Sequence, residues 1–197
     1  RAVVMAEYDM PGVKATLTMT YTIANTGEIR VEQHLATTPG TKIPNLFRFG
    51  VRLRMPAQYA TVEYYGRGPV ENYIDRNHST LVGLYRQSVA SQFYPYIRPQ
   101  ENGSHYDCDY ASLANDRVVL TAVGEKTFSF QASVYTQEEL TEKAHNYELK
   151  PCGSTVFCID YRQAGIGSAS CGPMLLEKYQ LKENEIKFAV RLKPELL

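Results

Sequence analysis

Val13-Lys14-Ala15-Thr16-Leu17-Thr18-Met19-Thr20-Tyr21-Thr22-Ile23 alternates apolar with polar side chains at every step. Extended backbone sends successive side chains to opposite faces, so this stretch reads as a half-buried strand with one apolar and one hydroxyl-rich side. Asn25-Thr26-Gly27 supplies turn chemistry, and Ile29, Val31 and Leu35 then alternate with Arg30 and Glu32 on a hairpin partner. The same period recurs at Phe47–Met55, Val118–Val123, Phe128–Val134, Val156–Tyr161 and Ile186–Lys193, with Gly124, Pro151, Gly153 and Asn184 between runs. The expected fold class is all-β, a large antiparallel β-sandwich. One short helix interrupts it, predicted over Gln137–His145 because Thr136 stands three residues before Glu139 in a capping-box spacing.

Composition narrows the function classes. Lys plus Arg equals Asp plus Glu at 21 each, so no net field attracts nucleic acid or an anionic membrane. No stretch approaches the ~20 apolar residues of a membrane-spanning helix. Tyr is in excess, 15 against 7 Phe and no Trp, which suits rings with one apolar face and one wet edge. Cys108, Cys152, Cys158 and Cys171 lack CxxC spacing and accompanying His pairs, so they read as free thiols and no metal site is expected. No linker or repeat divides the chain, and residues 1–197 are expected to form a single sandwich domain.

Two segments are dense in polar chemistry. In Tyr64-Tyr65-Gly66-Arg67-Gly68-Pro69-Val70-Glu71-Asn72-Tyr73-Ile74-Asp75-Arg76, two glycines flank Arg67 and would let it be fixed against Glu71 or Asp75. In Tyr94-Pro95-Tyr96-Ile97-Arg98-Pro99-Gln100-Glu101-Asn102-Gly103, prolines stiffen a loop rich in planar donors and acceptors. Either loop could touch a hydroxyl-rich ligand, or the second could simply brace the first.

Gly66–Arg76 and Arg98–Gly103 resemble, in order and spacing, the paired signatures of the final domain of large family 2 β-galactosidases. Gly165-Ile166-Gly167-Ser168-Ala169-Ser170-Cys171-Gly172-Pro173 is similar to that domain's last signature loop, and Glu177–Leu181 to its closing approach. The resemblance implies a galactose mutarotase-like supersandwich, truncated here on its N-terminal side, within a larger multidomain enzyme. It also implies retaining hydrolysis of terminal β-galactosides by two glutamates on a separate barrel, with magnesium there and no cofactor in this fragment. No catalytic residue is therefore expected among these 197 residues, and the isolated fragment is expected to be inactive. Substrate contact is expected at Gly167, Ser168, Ser170 and Cys171, the last standing where the family carries a stacking Trp. Arg67, Glu71, Asn72, Asp75, Arg76, Arg98, Gln100, Glu101 and Asn102 are expected to form structural motif loops. The implied partners are a β-galactoside, the other domains of the same polypeptide and, as an open alternative, a second copy in a homo-oligomer; the sequence does not assign the compartment, which for a bacterial protein leaves cytoplasm and periplasm both open. Competing readings are a stand-alone carbohydrate-binding module built on residues 94–103, a mutarotase-like enzyme using His34, His78, His105 or His145, and a purely structural interface domain.

Overall fold

In the computed structural model of the chain, residues 1–165 and 174–197 are described. The alternating run is extended over Ala15–Ile23 and is the second of ten strands among those residues. In chain order the strands are β1 (Ala2–Met10), β2 (Ala15–Ile23), β3 (Ile29–Thr37), β4 (Arg48–Pro56) and β5 (Thr61–Gly68). They continue as β6 (Leu81–Ser88), β7 (Ser104–Ala114), β8 (Val118–Ser133), β9 (Ser154–Gln163) and β10 (Glu185–Leu196). Val13, expected to begin β2, belongs instead to a 3-10 turn over Pro11–Val13, closed by Lys14 in the left-handed region at φ 49. That turn folds β1 back onto β2 in an unbroken register from Ala2↔Ile23 to Met10↔Ala15.

All pairings are antiparallel, and the strand order is β1-β2-β3-β10-β8-β7-β5-β6. A second limb branches from β8, with β9 pairing β8 and β4 pairing β9. Branching is possible because the expected runs Val118–Val123 and Phe128–Val134 are one sixteen-residue strand rather than two. Its first half, to Gly124, pairs with β10, and its second half, Ser129–Ser133, pairs with β9. Gly124 marks the change: a side chain there would collide with the Lys126 carbonyl, so the backbone bends tightly without ending the strand.

The β4–β9 limb lies across from β3 and β10, as the Gln33 Nε2 donation to the Gly50 carbonyl (3.1 Å) and the Tyr161–Phe188 ring contact (6.2 Å between centroids) show. The result is an open, sandwich-like, mostly antiparallel sheet. Its core runs from Met19, Val31 and Leu35 through Phe49, Ile159 and Val190 to Phe130, Phe157 and Leu113. Each large apolar side chain buried there contributes roughly 1.5–3 kcal/mol.

The helix is present but shorter than expected: α1 covers Gln137–Glu142. Thr136 caps it as the spacing predicts, its hydroxyl accepting from the Glu139 amide at 3.1 Å. It stops before His145 because Lys143 is already extended, and Glu148 captures the Ala144 and His145 amides to start a separate 3-10 turn at Asn146–Glu148.

Candidate functional site

The first motif loop leaves β5 through a cis Gly68-Pro69 bond and is organised by two adjacent side chains. Asn72 is wholly buried. Its Nδ2 donates to the Arg67 and Val70 carbonyls (2.8 and 3.0 Å), and its Oδ1 accepts from the Tyr106 amide at 2.8 Å. Only a side chain with both donors and an acceptor could tie this loop to β7 in that way. Glu71 faces the other side, with its side chain only 6% exposed. It accepts from the Gly103 amide (2.6 Å), from the Tyr73 hydroxyl (3.4 Å), from the Tyr96 hydroxyl and from Arg76. Four donors around one carboxylate offset its desolvation.

That carboxylate zips the second motif loop to the first. Tyr96 accepts from Arg76 Nη2 at 2.7 Å while donating to Glu71, so it braces the loop. Burial, then the Glu71 contact, pushes its phenol up to about 12, which keeps it a neutral donor. Asn102 accepts from the Tyr94 amide (3.1 Å) and donates to the Gln100 carbonyl (2.9 Å), while its own carbonyl accepts from Gln131 Nε2 at 2.5 Å. Arg98 and the side chain of Gln100 remain on the exposed surface, outside this network.

Glu101 also joins a charge cluster whose other members, Arg48 and Asp160, the sequence did not single out. Arg48, at the start of β4, donates to Asp160 through Nη2 at 2.6 Å and through Nε at 3.2 and 3.3 Å, and to Glu101 through Nη1 at 3.3 Å. Asp160 is 2% exposed. Burial pushes the Asp160 and Glu101 carboxyls above their ordinary values, and the Arg48 guanidinium works against that rise. Gly50 enables the approach, because a side chain there would overlap the Ile159 carbonyl and Asp160. Asp160 was detectable in principle, as a charge inside the otherwise apolar run Val156–Tyr161. Arg48 carries no such signal.

The third signature begins where these groups end. Gly165 packs against the Asp75 carboxyl so closely that any β-carbon on it would collide with that group. On one side of residues 166–173 the chain is tied by the Ala164 amide to the Phe47 carbonyl at 2.9 Å. On the other, Gln180 Nε2 donates to the Leu175 carbonyl (2.8 Å), Arg162 to the Lys178 carbonyl (2.9 Å), and Leu181 is wholly buried. Gly167, Ser168, Ser170 and Cys171 lie outside the described residues.

Most expected motif residues are therefore fixed within the two loops and their support: Glu71 pairs with Arg76, Asn72 ties the first loop to β7, Asn102 holds Tyr94, Glu101 meets Arg48, and Asp75 meets Gly165. One expected pairing is corrected. Arg67 is held by neither Glu71 nor Asp75; it lies 3.4 Å from Asp107 and donates to the Thr80 carbonyl at 3.3 Å. Its position on β5 places it beside β7, whose bulge puts Asp107 at φ 61, whereas Arg76 returns to Glu71 across the tight turn Tyr73–Arg76. The histidines do not form a set. His105 is buried between Gln92 (2.6 Å) and the Arg67 carbonyl (3.1 Å), His34 pairs with Glu185 on the β3–β10 surface, His145 sits by Glu148, and His78 is exposed.

The buried carboxylates are thus neutralised from within the chain. Such a layer can hold loops in fixed positions. The family described as beta galactosidase small chain matches residues 1–192. Proteins named beta-galactosidase are similar to this chain: that of Actinobacillus pleuropneumoniae is 46% identical over 87% of the chain, and that of Staphylococcus xylosus 35% over 89%. A third, from Priestia megaterium, is 34% identical over 84% of it. The chain spans only 16%, 18% and 16% of the lengths of these three relatives. Bonded motif loops, the packing of Asp75 on Gly165 and a family match over residues 1–192 lead to one assignment: the chain belongs to the beta-galactosidase small chain family.

Proposed function

We propose that residues 1–197 form part of an accessory carboxy-terminal domain of a larger β-galactosidase that hydrolyses terminal β-galactosides with retention. The domain presents residues 165–173 as one wall of the galactoside pocket, with Gly167, Ser168, Ser170 and Cys171 toward the sugar. The observation that carries this reading is the packing of the Asp75 carboxyl on Gly165, which links both interlocked motif loops to the root of that wall. Binding geometry set from outside the reacting centre matters, since ~1 Å of misplacement can cost 10²-fold in rate. The acid and the nucleophile belong to other parts of the polypeptide, as does the magnesium. Among the described residues no three His, Cys, Asp or Glu side chains are grouped to hold a metal, and no step here runs through one.

The test uses the full-length enzyme and an aryl β-galactoside. Gly165→Ala must displace Asp75 and should lower kcat/KM by about 10- to 100-fold. Gly12→Ala, where no atom lies within 4 Å, should leave it unchanged. Equal kinetics for the two variants, or turnover by residues 1–197 alone, would overturn the proposal.

A further inference from the structure

The limbs of chain on either side of residues 166–173 are both tied to one short stretch ahead of β4. On the outgoing limb the Ala164 amide donates to the Phe47 carbonyl (2.9 Å). On the returning limb the Leu46 amide donates to the Leu181 carbonyl (2.9 Å), and the Leu181 amide to Asn45 Oδ1 (2.7 Å). Across that neck a side chain of β9 reaches the returning limb at two further points. Arg162 Nη1 donates to Glu183 at 3.0 Å, and Nη2 to the Lys178 carbonyl at 2.9 Å. The guanidinium thus bridges a side chain and a backbone group on either side of the wholly buried Leu181. A β-bulge aims it there. Gly50 pairs with Asp160 and Phe49 with Arg162, so Tyr161 is an extra residue without an opposite number on β4. Strict alternation would turn Arg162 to the side of Asp160, which Arg48 already neutralises. With Tyr161 inserted, Arg162 shares the face of Phe49 instead and meets Glu183 beside Tyr161, whose phenol is raised by burial and then by that carboxylate.

We propose that Arg162 is a positioning residue of the galactoside pocket: by holding Lys178 and Glu183 it fixes where the chain returns from residues 166–173, and so sets how tightly the sugar is held. This rests on the reading of residues 165–173 as a wall of that pocket. A wall that meets the sugar both before and during the reaction supplies uniform binding, which appears in KM and not in kcat. Arginine suits the task because its planar fork donates in two fixed directions, to a carboxylate and to a carbonyl, whereas a lysine ammonium is a point charge on a flexible stem. The Arg162 and Glu183 side chains are 21% and 35% exposed, so the ion pair itself is a modest source of stability. Its effect belongs to the placement of the returning limb, and variants should fold.

The test follows an aryl β-galactoside and the full-length enzyme. Arg162→Met should raise KM by about 10- to 100-fold, the worth of one displaced hydrogen-bonding contact, while kcat stays within about threefold. The inhibition constant of galactose, which reports binding without chemistry, should rise by the same factor. Arg162→Lys should recover only part of the loss. Glu183→Gln leaves the bond to the Lys178 carbonyl in place and should show a smaller rise of the same kind, so it decides the matter where Arg162→Met does not fold. Unchanged KM in these variants, full recovery by lysine, or a fall in kcat at constant KM would overturn the inference. Gly165→Ala separates it from the reading on which it rests. If that variant is impaired and Arg162→Met is not, only the role of Arg162 fails; if neither is impaired, the wall fails with it.

Discussion

The polar layer of the motif loops and the cleft between β1–β3 and β4 invert the usual expectation for polar and apolar surface. The first is crowded with charge and amide groups, yet it is closed: Glu71, Asn72, Arg48 and Asp160 find their partners inside these residues. The second is lined by Leu, Val, Met and Tyr, yet it stands open. Polar groups satisfied within a chain can be settled by that chain alone, whereas an apolar face is settled only when enough surface exists to cover it. The motif layer therefore reads as finished structure, and the cleft as an apolar face left open among the described residues.

The sharpest way to break the comparison is to unfinish the polar layer. Arg48→Met leaves Asp160 buried without its cation, and removal of one partner from a buried pair costs about 3–5 kcal/mol. Hydrogen exchange in the full-length enzyme should report that loss as faster opening of the β9 amides. Adding Asp160→Asn should recover part of it, giving a coupling energy of about 1–3 kcal/mol in a double-mutant cycle. If the two effects simply add, Arg48 and Asp160 do not work as a unit, and the layer is less complete than its geometry shows.

A smaller effect follows from His105. Burial lowers its pKa from 6.5 to about 4, while the unfolded chain titrates near the ordinary value. The unfolded state therefore binds more protons between these limits, so stability rises with pH there. The contribution is complete above about pH 6.5 and is lost progressively as the pH falls toward 4, about 3 kcal/mol in all. Asp160 and Glu101, shifted upward by burial, act with the opposite sign: what they contribute at low pH is lost as the pH rises through their folded-state values. Local opening free energies of the β7 and β8 amides between pH 7 and pH 5 should therefore show a falling component that disappears in His105→Gln. An unchanged slope in that variant would place the acid sensitivity elsewhere.

What could be read from sequence follows the same division. β2 and β3 were legible because each has one face on the core and one in water, which writes a period of two into the residues. β1 was not, since Ala2-Val3-Val4-Met5-Ala6 is apolar at every step and no alternation marks its cleft side. β5 and β7 were obscured where they approach most closely: Gly66 is in β5 because a side chain there would strike Cys108, and β7 bulges between His105 and Tyr110. The motif loops announced themselves through turn residues and dense polar groups, but not the identity of their partners. Arg67 and Arg76 both lay within reach of Glu71 along the chain, and only the tight turn at Tyr73–Arg76 decides between them. Arg48 stands 112 residues from Asp160, a pairing that no local pattern encodes.

The smallest expected effect is also the most direct probe of the cleft, because β1 carries an internal control. Val4 faces the cleft beside Tyr21, whereas Met5, 72% exposed, stands on the opposite face beside Thr20. A hydroxyl on the outer face costs little, so Met5→Thr should change the opening free energy of the β1 amides by less than about 0.5 kcal/mol. If the cleft is covered in the full-length enzyme, Val4→Thr should cost about 1–3 kcal/mol there, because it would bury an unpartnered hydroxyl. The two positions are adjacent, share a strand and differ chiefly in the face they occupy. A difference between them measures how far the cleft face of β1 is buried in the whole protein. Indistinguishable effects would mean that both faces of β1 meet water in the whole protein, and the cleft would then be an open feature of the mature fold.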